Sequence, residues 1–100
     1  WGKDKLRPKI LTGFSFQYMK NYEKAIKKFR EAMELDSKND EASGGLFYSL
    51  LQSKQLDEAK KVAKERLKYS PYKEDVYEEL AAVYYEPDTL EKAKEYAIKA

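Results

Sequence analysis

The feature that most constrains this sequence is a repeat of 34 residues: Ala25, Ala59 and Ala93 stand in the same local frame. Their flanks read NYEKAIKKF, QLDEAKKVA and TLEKAKEYA. An aromatic or a leucine (Tyr22, Leu56, Leu90) precedes each alanine by three residues, and Phe29, Ala63 or Ala97 follows by four. The same frame aligns Gly13, Phe47 and Ala81, and three residues later Phe16, Leu50 and Tyr84. A period of this size marks an array whose units cannot bury their apolar faces alone and must stack on their neighbours.

Within each unit the periodicity is helical. Tyr22, Ala25, Ile26, Phe29, Ala32 and Met33 form an i, i+3, i+4, i+7 stripe, the pattern of a helix with one buried face. Thinner versions follow in the later units. The stretches KN, KQ and EPDT divide each unit into two halves, and Pro87 lacks the amide proton that a continuing helix needs. DSKND and SPYKED separate the units, with the length of links that join antiparallel neighbours. Pro71 marks a break there, and Ser70 is expected to cap the helix that follows. The expected fold is all-α, with antiparallel helical hairpins stacked in one domain over 1–100. The units fall at about 6–39, 40–73 and 74–100, and Tyr84 is expected in the core.

Taken together, these positions resemble the tetratricopeptide repeat, whose signature W-x2-L-G-x2-Y, then A-x3-F-x2-A, then P, has this period. The first unit supplies Thr12-Gly13, Phe16, Ala25, Phe29, Ala32 and AMELDS, with Ser37 at the usual proline. The second supplies Leu46, Leu50, Ala59 and Pro71. The third supplies Tyr77, Leu80-Ala81, Tyr84, Ala93, Ala97 and Ala100. The resemblance implies a short right-handed α-solenoid with the first helix of each hairpin lining a concave side. Two departures stand out. Phe47 occupies the small slot while Ala63 replaces Phe29, which is expected to be a trade of volume between paired helices. Gly44-Gly45 inside a predicted helix costs roughly 1 kcal/mol per glycine relative to alanine, so a close contact or a bend has to compensate.

Composition narrows the function. The chain has no cysteine and no histidine, which removes thiolate nucleophiles, the usual general base near neutral pH and the commonest transition-metal ligand. No catalysis, cofactor or metal is expected. With 20 basic and 18 acidic residues the net charge is +2, which gives no general pull toward nucleic acid or membrane. No apolar run approaches the roughly 18 residues of a spanning helix, so a soluble chain is expected, with the cytoplasm favoured. The lysine-rich KKVAKERLK shares its helix with Asp57, Glu58 and Glu65, which reads as a salt-laced exterior rather than an RNA surface. A start at Trp1, with no signal-peptide pattern in WGKDKLRPK, is expected of a piece of a longer protein.

The family resemblance also implies where a partner would sit. Carried over, the partner-binding set is Phe14, Tyr18, Tyr48, Leu51, Glu78 and Tyr85, among concave positions that also include Arg7, Ile10, Gln17, Glu41, Gly44, Asp75 and Ala82. Such large amphipathic aromatics bury area at low entropy cost where proteins grip one another. Residues 74–86 carry Glu74, Asp75, Glu78, Glu79 and Glu86 with no base, whereas Lys3, Lys5, Arg7, Lys9 and Lys20 face Asp4 alone near the other end. The expected function is a protein-interaction or scaffold module for a protein or peptide with apolar and basic side chains. Members that grip an acidic chaperone C-terminal tail use lysine, asparagine and arginine at places held here by Ile10, Phe14, Gly45, Asp75 and Glu79, so that ligand is not expected. Two alternatives are self-association through the open ends of the array and service as an accessory segment of a larger enzyme or of a secretion or assembly machine.

Overall fold

The computed structural model describes residues 5–84, all of whose regular elements are helices. They are α1 (Leu6–Tyr18), α2 (Tyr22–Leu35), α3 (Asp40–Gln52), α4 (Leu56–Arg66) and α5 (Lys73–Tyr84). The 34-residue frame reappears in the boundaries, since α1 and α3 start 34 residues apart and so do α2 and α4. Ala93, Ala97, Ala100, Pro87 and Tyr85 lie outside the described residues.

The turns inside the first two hairpins share one construction. Lys20 and Lys54 adopt φ of 62° and 65°. In each turn the next amide reaches back to a carbonyl five residues earlier, Asn21 to Phe16 at 2.8 Å and Gln55 to Leu50 at 2.9 Å. This left-handed closure satisfies the orphan carbonyls of α1 and α3 and reverses the chain into α2 and α4. Side chains open two of the helices. Asn39 accepts from the Ala42 amide at 2.9 Å and Asn21 from the Lys24 amide at 3.4 Å. Ser70 does not cap α5 as expected. Its buried hydroxyl accepts from the Tyr72 amide at 3.1 Å, ahead of the helix, and so holds the turn around Pro71.

Consecutive helices pack on one another, and α1 also packs directly on α3. Arg7 of α1 pairs with Glu41 of α3 at 2.8 Å, and further along Gln17 donates to the Gly45 carbonyl and the Ser49 hydroxyl. On the other side Arg30 of α2 reaches Glu58 of α4 at 3.6 Å. The described chain therefore has two layers, with the first helices of the hairpins side by side in one and the second helices in the other. Between them lies the core of Ile10, Ala25, Ile26, Phe29, Ala32, Ala42, Leu46, Phe47, Leu50, Ala59, Ala63, Val76 and Val83.

The stripe on α2 supplies the centre of that core. Phe29 is fully buried, and a Cβ placed at Gly45 or Gly13 would come within 2.4 Å or 2.7 Å of its ring. The ring thus fills the room that two glycines leave where α1 and α3 approach. This is the contact that offsets the helix cost of Gly45. In the second hairpin Phe47 and Ala63 are both buried. Tyr84 departs from expectation: it is half exposed, with the Lys60 ammonium 4.8 Å from its ring centroid and Lys64 at 5.7 Å. Cations over an aromatic face stabilise it without burial.

Candidate interaction surface

Residues one heptad apart share a helix face, so Arg7 and Phe14 on α1 align with one another, as do Glu41 and Tyr48 on α3. The exposed Arg7–Glu41 pair shows that these two faces meet along the same side of the layer. Phe14, about one third exposed, turns one edge inward, packing against Phe29 with centroids 5.0 Å apart and planes at 73°. Tyr18 is 91% exposed and Tyr48 46%. Tyr48 leans on Tyr22 at 6.4 Å, again edge to face. Ring contacts therefore run from the first layer to the second. Phe14, Tyr18 and Tyr48 do not stack on one another along a ladder, and each is available separately.

The other expected positions divide. Leu51 is half buried and packed against the core, Glu78 is exposed on α5, and Tyr85 lies outside the described residues. Ile10 is buried at 1% exposure and belongs to the core rather than to an open face. Gln17 is committed to Gly45 and Ser49. Two exposed apolar side chains beside the expected set, Leu11 and Met19, were not read from the sequence. The signal for Leu11 was available, because Leu11, Phe14 and Tyr18 follow i, i+3, i+7 along one side of α1.

Charge at the two ends is more restrained than the residue counts imply. Arg7 is paired with Glu41, and Lys9 donates to Glu31 at 2.7 Å. That hydrogen bond, against a smaller opposing effect of burial, holds the Glu31 carboxyl below its ordinary value. On α5, Glu79 is engaged by Arg66, while Glu74, Asp75 and Glu78 are exposed and form no ion pair among the described residues.

Arg66 corrects the reading of KKVAKERLK as solvated exterior, because it is only 4% exposed. Its Nη2 donates to Asp40 at 2.8 Å, and its Nη1 contacts both carboxylate oxygens of Glu79. Burial pushes the Asp40 carboxyl up, but the Ser70 hydroxyl and Arg66 outweigh it and hold the group below its ordinary 3.8. Burial pushes Glu79 above its ordinary 4.5 despite Arg66, with the charges of Asp40 and Asp75 adding to the effect. The frame contained the clue: Arg66 stands where the first unit has Ala32, a core position.

The second layer carries one further concavity, a cleft of about 210 Å³ lined by Met33, Leu46, Val62 and Tyr69 with Lys61 and Glu65 among the flanking residues. No described helix is long and apolar enough to cross a membrane. A family model described as tetratricopeptide repeat matches residues 18–71, from the end of α1 to the turn after α4. No curated protein and no solved structure matches the chain.

Proposed function

We propose, on the premise that this chain belongs to the tetratricopeptide repeat family, that it is a non-catalytic interaction module holding a segment of another protein against α1, α3 and α5. The observation that carries this reading is the exposure of Phe14, Tyr18 and Tyr48 on neighbouring first-layer helices. Large aromatics left in water beside a packed core are the side chains that gain most when a partner covers them. Leu11 and Met19 extend the apolar area on α1. Exposed Glu74, Asp75 and Glu78 on α5 favour basic side chains in the same partner, and disfavour an acidic tail, by charge complementarity. On this reading the array has three units in one domain, at 6–39, 40–73 and 74–100, and Tyr85 continues the surface.

The test is capture of partners from the native cell extract by the original chain and by Tyr18→Ala/Tyr48→Ala, side by side. Tyr18 is almost fully solvated and Tyr48 about half exposed, and neither belongs to the buried core, so helicity by circular dichroism is expected to survive the double change. Partners retained by the original chain are expected to fall at least tenfold, corresponding to about 1.4 kcal/mol or more of binding. Equal capture by the two proteins removes this surface from the account.

A further inference from the structure

The 34-residue frame lets the two junctions between hairpins be compared at the place where the next helix docks. On the receiving side it aligns Leu6 of α1 and Ala32 of α2 with Asp40 of α3 and Arg66 of α4. On the arriving side it aligns Leu11 of α1, Gly45 of α3 and Glu79 of α5. At the first junction Ala32 and Gly45 are therefore both small and uncharged. At the second a guanidinium stands in place of the alanine and a carboxylate in place of the glycine.

The structure brings these charges together. Arg66, with a side chain 5% exposed, donates from Nη2 to Asp40 at 2.8 Å, and its Nη1 contacts both carboxylate oxygens of Glu79. The guanidinium lies beside Gly44 of α3, where an added Cβ would come within 3.3 Å of Nη2. In the first hairpin the frame puts Ile10 at the place of Gly44, and that side chain is buried in the core. So α3 has a glycine beside the cation at the position where α1 has a large apolar side chain.

An arginine cannot shed its charge, and a buried guanidinium or carboxylate without its counter-ion costs far more than the pair gains over apolar side chains of similar volume. Such a pair adds little strength but penalises a mismatched neighbour. Among α1, α3 and α5, α5 alone brings a carboxylate to the frame position of Glu79. Of the first two hairpins, the second alone carries a cation at the receiving position. Docked on the second hairpin, α1 or α3 of another copy would set Leu11 or Gly45 before Arg66. Docked on the first, α5 would set Glu79 before Ala32.

We propose that the end of the second hairpin is a recognition surface for a helix bearing a carboxylate at the place of Glu79. Arg66 thereby fixes α5 as the helix that docks on α3 and α4, and it refuses α1 or α3 of a second copy. The ion pair acts by matching rather than by added strength. This matching does not depend on which face holds a partner.

The experiment is native-state amide exchange of residues 73–84 at neutral pH in the intact chain, in Arg66→Met, in Glu79→Leu and in the double variant. Glu79→Leu presents Arg66 with the side chain that α1 carries in the same frame. Each single variant leaves a charge without its counter-ion, and the opening equilibrium of α5 is expected to rise by at least tenfold. The double variant removes both charges of the pair and leaves Asp40, which is 27% exposed and keeps contact with water. In it α5 is expected to open less than in either single variant. A double variant as open as either single variant, or a single variant that protects α5 as well as the original chain does, overturns the proposal. The original chain supplies a second measurement that needs no variant. In nitrogen-15 spectra the Nη groups of Arg66 are expected as distinct, slowly exchanging signals, held by the two carboxylates, whereas those of the exposed Arg7 are averaged by rotation. An Arg66 averaged like Arg7 contradicts the proposal.

Discussion

Gly44 and Gly45 are adjacent in sequence and alike in composition, yet their surroundings give them opposite roles. Gly45 faces the Phe29 ring, where an added Cβ would sit 2.4 Å from Cζ, a carbon with no free rotation to escape. Gly44 faces the end of the Arg66 side chain at 3.3 Å. Gly45→Ala is therefore expected to destabilise by about 2–3 kcal/mol through overpacking, despite its gain in helix propensity. Gly44→Ala is expected to stay within about 1 kcal/mol of the original, its propensity gain offset by a small shift of the guanidinium. Denaturant midpoints distinguish the two. Asp40 adds a pH signature. Its folded value lies below its ordinary 3.8, so its contribution is present above 3.8 and is lost as pH falls through the folded value. Asp40→Asn is expected to cost about 1.5–3 kcal/mol at neutral pH, the range for a hydrogen bond to a charged group, and to flatten the acid limb of the stability profile. Urea titrations at neutral pH and below 3.8 measure both effects. None of this was legible from the residues singly. The sequence pattern marks two glycines in a helix as costly, but only the approach of Phe29 shows which of them is needed.

At the scale of the element, the hairpins were the most readable part of the chain, because Ala25 and Ala59 with their flanks specify amphipathic helices and the KN and KQ stretches specify where they turn. The turn chemistry was not legible, since Lys20 and Lys54 occupy left-handed positions where glycine is the common choice. The carbonyls of Phe16 and Leu50 still need closing, and the chain accepts the strain of a β-carbon to do it. Lys54→Gly is expected to raise stability by about 0.5–1 kcal/mol, as relief of that strain exceeds the entropy that glycine adds to the unfolded chain. An unchanged or lower thermal midpoint would contradict this. Arg66 was misread for a related reason. A lysine- and arginine-rich helix looks solvated by composition, and the decisive fact was that α3 and α5 each bring a carboxylate to Arg66, which faces inward.

At the scale of the molecule, two layers of helices present different surfaces. The first carries the exposed aromatics of α1 and α3 and the acidic side of α5. The second carries a cleft between Met33, Leu46, Val62 and Tyr69. The repeat frame made the order of the hairpins readable, but exposure within each layer depended on what each side chain met across it. Ile10 is covered, Tyr18 is left in water, and Tyr48 is half supported by Tyr22. The central claim is that the first layer is the one that holds a partner. Hydroxyl-radical footprinting of the chain in complex with a captured partner, compared with the free chain, tests it most directly. Protection is expected at Phe14, Tyr18 and Tyr48, with Met33 and Tyr69 reacting as in the free protein; protection at Met33 and Tyr69 with Tyr18 and Tyr48 unchanged would contradict it.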